Sequence, residues 1–311
     1  MQKEPNKNPA VSIVMTHFNR AHLLRRTLHS FTYNQSRDFE IVIVDDASNT
    51  VEYEKLLNLI HEYNDEFNIV LYNINEHNKW YDNPCIPFNI ALKEAIGDIV
   101  IIQNPECMHL GNVIDYVIKR KDMVEPDPNC ERPNDRRYFS FACYNIDQVQ
   151  TEALTDKPTP QEVLELINPV NNNPITHCEE PGWYDHSKYR PLGYHWCNAI
   201  ANEDLKRLKY FDERFSKGIA YDDDEFAFRT KKLLHTIDVD SPLVIHQWHG
   251  LYNYYKNKNQ VENQMKQDYN LGLLKDITKV ESMHGPNFEN VVNHLSEKVT
   301  YNRYYDDHRY M

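Results

Sequence analysis

Residues 11–48 limit what this chain can fold into more than any other stretch. Val11 to Met15, VSIVM, is a short continuous apolar run rich in β-branched residues, the pattern of a strand buried on both faces of a parallel sheet. His22 to Phe31 then switches to helical spacing. Glu40 to Val44, EIVIV, is a second buried strand that stops at the paired acids Asp45 and Asp46. In open α/β sheets ligands bind in the crevice beyond the carboxyl ends of the strands, so both acids are expected at that rim. Both are also ordinary turn formers.

Charge and motif content narrow the function. Lys and Arg number 34 against 47 Asp and Glu, a net charge of −13, which repels phosphate backbones and argues against nucleic-acid or anionic-membrane partners. A metal-bridged diphosphate escapes that objection. The start, MQKEPNKNPA, is polar without an apolar core, and no later stretch approaches the length of a membrane span, so a soluble, cytoplasmic protein is the expectation. Six cysteines are scattered without a CxxC pair, which suggests neither a zinc ribbon nor a redox motif. None of the eight glycines forms GxGxxG or GxxxxGK, so a dinucleotide fingerprint and a P-loop are both absent.

Periodicity and punctuation give a coarse order of elements. Val51 to Glu66 reads as a helix, Asn68 to Ile74 as a strand, and Pro87 to Ile96 as a helix stopped by Gly97. Asp98 to Ile102 is the fourth strand, Gly111 to Lys121 a helix, and Glu125 to Asp135 a surface loop. Tyr138 to Tyr144 resumes as a strand, and Pro160 to Ile167 is a short helix. Asn168 to Arg190 is expected as a long loop, of a length that is usually functional or disordered. Ile237 to Ile245 is a strand, and the chain beyond it is helical to about Lys275 and then irregular.

SIVMTHFNR, the helix after it and IVIVDDAS together resemble the start of a family 2 glycosyltransferase of GT-A fold. The resemblance covers residues 11–250. It implies an α/β, Rossmann-like nucleotide-diphospho-sugar transferase with a mixed central sheet flanked by helices. It also implies that Thr16, Phe18, Asn19 and Arg20 border the nucleotide and that Asp45 accepts hydrogen bonds from base or ribose. GDIVIIQNPECMHLGN, residues 97–112, aligns Asn104–Pro105–Glu106 on the family's Asp-x-Asp motif. Glu106 would then ligate Mn²⁺ or Mg²⁺ as a hard oxygen donor. The bland alternative is a strand-ending turn with an exposed Glu. His246, which follows the strand Ile237 to Ile245, takes the place of the remaining protein ligand, with His249 as the fallback.

KYFDERFSKGIAYDDDEFAFR, residues 209–229, resembles the acceptor-side segment GGFDERFxGWGxEDDDxxxR of galactosyltransferase-like and chondroitin-synthase-like members. The resemblance makes Asp223 the general base and gives acceptor hydroxyls to Asp222 or Asp224. Ile219 stands where the family has Trp. A sugar hydroxyl attacking an anomeric carbon must lose its proton, which an aligned carboxylate can take, and clustered acids raise one pKa toward the working range. An acidic first helical turn stabilised by the macrodipole explains the same residues without catalysis, and the two readings are compatible. Sugar rings pack on aromatic planes, and Trp196, in HWCNAIANEDL where the family has a loop, is the expected acceptor platform.

These readings converge on an inverting, metal-dependent transferase. It would use a nucleotide-sugar donor, UDP-linked, and a carbohydrate or glycoconjugate acceptor, in a domain of residues 1–250. Residues 251–311 form a helical and irregular extension packed on it, open to covering the active site or making a homodimer contact. The departures at Asn104 and Ile219 motivate a rival, a carbohydrate- or nucleotide-sugar-binding protein of the same fold without turnover. A nucleotidyltransferase is disfavoured because THFNRAHLL lacks the glycines of its phosphate loop.

Overall fold

The structure is a computed structural model that describes residues 9–120, 136–168, 170–175, 179–194, 196–250, 260–284 and 290–304. Its centre is β1 (Val11–His17), which pairs in parallel with β2 (Phe39–Asp45) on one side and β4 (Ile99–Gln103) on the other. β3 (Asn68–Ile74) lies parallel beyond β2. α1 (Ala21–Phe31), α2 (Thr50–Tyr63) and α3 (Cys85–Glu94) are the crossovers. Residues alternate between the faces of β1. Val11, Ile13 and Met15 join Leu24, Leu28 and Phe31 of α1 and Leu56 and Leu59 of α2 in one core, while Val14 joins Phe88 and Leu92 of α3 in the other. Each such side chain is worth about 1.5–3 kcal/mol when fully buried, which fixes the register of the strands that build the site.

The second half of the sheet is largely antiparallel. β4 is followed by β5 (Cys107–Leu110) and α4 (Val113–Ile118), then β6 (Arg137–Asn145), α5 (Gln148–Ala153), α6 (Pro160–Leu166) and β7 (Gly182–Asp185). β8 (Cys197–Ala201), α7 (Asn202–Leu208), α8 (Asp222–Leu233), β9 (His235–His246), α9 (Gln260–His284) and β10 (Tyr301–Tyr304) complete the order. Across the sheet the strands run β10-β3-β2-β1-β4-β8-β6-β9-β5, with β7 on β6. The fold is α/β, a mixed central sheet flanked by helices. Among the described residues no helix is long and apolar enough to cross a membrane.

Several element boundaries differ from expectation for identifiable reasons. Residues 107–110 are a strand, and the helix expected from Gly111 starts at Val113, because Gly111 takes a φ of +101° in the turn between them. The expected loop from Asn168 to Arg190 contains β7, whose Trp183 and Tyr184 are buried against β6. Trp196 stands in a turn, but the residues after it, expected as loop, form β8, an interior strand between β4 and β6 that runs directly into α7. α3 stops before Gly97. That glycine is needed because a Cβ there would lie 2.6 Å from the Ser12 backbone nitrogen. α9 runs past Lys275 to His284, and the expected irregular tail supplies β10, antiparallel to β3. The loop expected at Glu125 to Asp135 lies outside the described residues.

Candidate active site

A cleft of about 630 Å³ opens at the carboxyl ends of β1, β2 and β4. Thr16, Phe18, Asn19, Arg20, Glu106, Trp196, Asp222, Asp223 and His246 all line it, so most residues singled out in the sequence meet in one place. Asp45 and Asp224 are the exceptions. Asp45 is fully buried beneath the floor. It takes the Nδ1–H of His17 at 2.8 Å and the hydroxyl of Ser48 at 2.6 Å on one oxygen, and the amide of Asn73 at 3.0 Å and the Ser48 N–H at 3.1 Å on the other. The next residue, Asp46, is the one that reaches the cleft. Lys79 (2.8 Å) and Tyr81 (2.6 Å) hold its carboxylate, whose pKa burial raises against their pull. The Lys79 ammonium also sits 4.7 Å from the ring centre of Phe18. Asp224 stands aside from the cleft and accepts the hydroxyl of Tyr194, which does line it.

The histidine and glutamate ligand set follows from strand register. Cys107 pairs with His246 across β5 and β9, so Glu106, one residue earlier, lies beside His246 at the strand end. Gln247 fixes the Glu106 carbonyl through its backbone and side-chain amides, at 3.1 and 3.0 Å. His246 Nε2 is 3.6 Å and His249 Nε2 3.3 Å from Glu106 Oε1, and candidate ligand atoms of the three residues lie within 4.8 Å of one another. The tautomer of His246 is determined by its neighbours. Asn145 donates its amide to the Glu180 carbonyl at 2.6 Å, which turns its oxygen toward His246 Nδ1, 2.7 Å away. His246 must therefore carry its proton on Nδ1 and a lone pair on Nε2. Among the described residues that buried Nε2 has no hydrogen-bond partner. An orphaned lone pair beside a carboxylate, with the second nitrogen anchored, is the donor set a divalent cation needs. The residues present fit Mn²⁺ or Mg²⁺.

Arg20 contributes a cation to the same corner. Its guanidinium donates to both oxygens of Glu106, at 3.1 and 3.0 Å. Burial opposes charge on Glu106, but the Arg20 guanidinium on its two oxygens holds its pKa well below the usual carboxylate range. Burial, and then Arg20, push His249 down to about 4, so its imidazole is neutral at physiological pH.

On the opposite wall, α8 presents four acids in its first turn, Asp222 to Glu225. Asp222 is buried and accepts the Asn83 amide at 2.8 Å. Glu225 is committed to a buried pair with Arg229, whose guanidinium also donates to the Leu208 and Tyr210 carbonyls, so this closing arginine anchors the helix. Asp223 is half-buried, faces the cleft, and is raised by burial and the neighbouring Asp224 charge to about 7. A carboxylate with that pKa is poised to take a proton near neutrality. Trp196 lies against Tyr184 and His246, with ring centres 4.4 and 5.5 Å away, so these three rings form an aromatic face of the cleft.

Sequence reasoning put Asp46 at the rim but gave the nucleotide contact to Asp45, and it did not identify Lys79 or Asp82 as cleft residues. Lys79 and Asp82 come from the loop before α3, which carries no motif.

Residues 12–122 match the family model described as glycosyl transferase family 2. The chondroitin synthase of Pasteurella multocida (strain Pm70) is 24% identical over 246 residues, which cover 73% of this chain and 23% of that protein. The chain thus spans less than a quarter of the length of that curated relative. Among solved structures, S. aureus TarS aligns over 79% of this chain and 38% of its own, at 14% identity and a TM-score of 0.51. The mannosyltransferase PcManGT from Pyrobaculum calidifontis, solved in complex with GDP-Man and Mn²⁺, aligns over 81% of this chain and 61% of its own, at 18% identity and a TM-score of 0.46.

Proposed function

Because this chain has the GT-A fold and is family 2-like over residues 12–122, we propose that it moves a sugar from a nucleoside-diphosphate donor, UDP-linked, to a carbohydrate hydroxyl with inversion. The observation that carries this reading is the meeting, in one cleft at the strand ends, of Asp223 with the Glu106, His246 and His249 group. Thr16, Phe18, Asn19 and Arg20 border the nucleotide. Asp46, braced by Lys79, takes the contact with base or ribose, and Asp45 supports the turn from below.

Asp223 accepts the proton of the acceptor hydroxyl as that oxygen bonds to the anomeric carbon and the bond to the diphosphate breaks. A single displacement of this kind inverts the centre. Asp222 and the face of Trp196 hold the acceptor, and Asp224 orients Tyr194 at its edge. Mn²⁺ or Mg²⁺, held by Glu106, His246 and His249, would supply positive charge to the departing diphosphate.

A panel of UDP- and GDP-sugars, offered with Mn²⁺ and a set of oligosaccharide acceptors and read by nucleotide release, tests the proposal. Acceptor-stimulated release from a UDP-sugar is expected. No release from any donor sinks the transferase reading. The Arg20 guanidinium on both oxygens of Glu106 favours a second reading, a nucleotide-sugar binder whose own arginine supplies the cation. Binding of UDP-sugar without hydrolysis in Mn²⁺ would select it.

A further inference from the structure

The backbone that leads into the catalytic acids adopts a conformation its residues do not favour. Ala220 and Tyr221 have φ of +60° and +68°, and both carry a Cβ. Left-handed residues of this kind persist only where the surroundings over-determine them. Tyr221 is the N-cap of α8 and makes no side-chain capping bond, so the aim of the first turn depends on the backbone of residues 215–221.

α9 supplies the constraint. Asn263, Asn270 and Ile277 are buried at intervals of seven along this helix, the stripe that faces the core. Asn270 is fully buried, and its side-chain amide donates to the Phe215 carbonyl at 3.2 Å and the Ala220 carbonyl at 2.8 Å, bracketing the segment at both ends. Between them the chain passes so close that a Cβ on Gly218 would fall 2.1 Å from Asn270 Oδ1. One turn earlier, the Lys266 carbonyl accepts the Ile219 N–H at 3.4 Å, and its ammonium pairs at 2.8 Å with Asp82, a residue of the cleft wall.

We propose that Asn270 is a positioning residue that, by tying the Phe215 and Ala220 carbonyls together, fixes the turn delivering Asp222 and Asp223 to the cleft. The inference rests on the reading of these acids as acceptor ligand and base. It makes the C-terminal helix part of the active site, although α9 contributes no group to the reaction.

The test uses the full chain and the active member of the UDP-sugar panel. In Asn270→Ala, kcat should fall by about 10–100-fold, the scale of a misplacement of around 1 Å, while UDP affinity with Mn²⁺ by calorimetry stays within about twofold. The acid limb of the kcat profile should move to lower pH as the loosened turn hydrates Asp223, and amide exchange at residues 219–223 should rise. Asn270→Asp keeps the shape but lacks the donor, and should be as impaired as the alanine. Gly218→Ala presses on the same contact from the other side and should lower kcat in a protein that keeps its fold.

A folded Asn270→Ala enzyme with wild-type kcat and acid limb overturns the proposal. So does a loss of kcat, UDP affinity and Tm together, which is the signature of a general structural role. Asp223→Asn, run alongside, separates the two claims. Near wild-type turnover in that variant removes the base assignment, whereas the kcat and exchange response of Asn270→Ala still judges the positioning of Asp222.

Discussion

His17 donates its Nδ1–H to Asp45 at 2.8 Å with both side chains fully buried, and its Nε2 accepts the Arg20 backbone N–H at 3.2 Å. The chain from β2 through this imidazole to the turn after β1 sets where Phe18, Asn19 and Arg20 stand. Asp45 therefore bears on the end of the cleft proposed for the nucleotide through the protein, by way of His17.

Replacing the two adjacent acids should separate these roles. Asp45→Ala strands His17, Ser48 and Asn73 without their acceptor and should cost at least about 3 kcal/mol, since four hydrogen bonds are lost and each one to a charged group is worth roughly 1.5–3 kcal/mol. Asp46→Ala should change stability less but weaken UDP binding about tenfold, near 1.4 kcal/mol. Urea unfolding and calorimetry measure the pair. An Asp45→Ala protein of wild-type stability that binds UDP poorly would return the direct contact to Asp45.

The proposed metal site makes a prediction about Asn145, which would hold a ligand without touching the metal. Asn145→Ala frees His246 Nδ1 and removes the reason for its tautomer, so Mn²⁺ affinity should fall by about 10–100-fold, the usual effect of losing such an orienting partner. Glu106→Gln and His246→Ala should abolish it. Chelation should stop turnover in the wild type, and Mn²⁺ or Mg²⁺ should restore it. Wild-type Mn²⁺ affinity in folded Asn145→Ala would remove the tautomer argument.

The difference between legible and illegible parts of the molecule is physical. β1 and β2 were readable because strands buried on both faces demand continuous β-branched runs, and α8 because four consecutive acids suit a helix N-terminus. The choice between Asp45 and Asp46 depends on strand phase. Asp45 is still in register opposite His17, whereas Asp46 is the first residue free to face the cleft. The contact of Glu106 with His246 depends on the pairing of Cys107 with His246, and β5 is too short to announce itself by period. Lys79, Asn145 and Asn270 reach the site from distant elements through tertiary contacts alone.

Asp223 should show opposite effects on rate and stability. Its pKa of about 7 stands above the ordinary 3.8 because burial and Asp224 penalise the charge. As a base it works only when ionised, so kcat/KM should fall about tenfold per pH unit below the limb near 7, and Asp223→Asn should lower kcat by about 10²–10⁴. Folding responds the other way. The folded state holds this proton more tightly than the unfolded chain, so ionised Asp223 opposes folding. That penalty is absent below about pH 4, grows between the unfolded and folded pKa values, and is complete above about 7. Asp223→Asn removes it, so its Tm should exceed the wild type's at pH 8 and match it at pH 4. Thermal unfolding at the two pH values, alongside transfer rates, decides the matter. A variant that transfers sugar at near wild-type rate, or gains no Tm at pH 8, would leave the acids as a stabilised helix start and move the base to another carboxylate of the cleft.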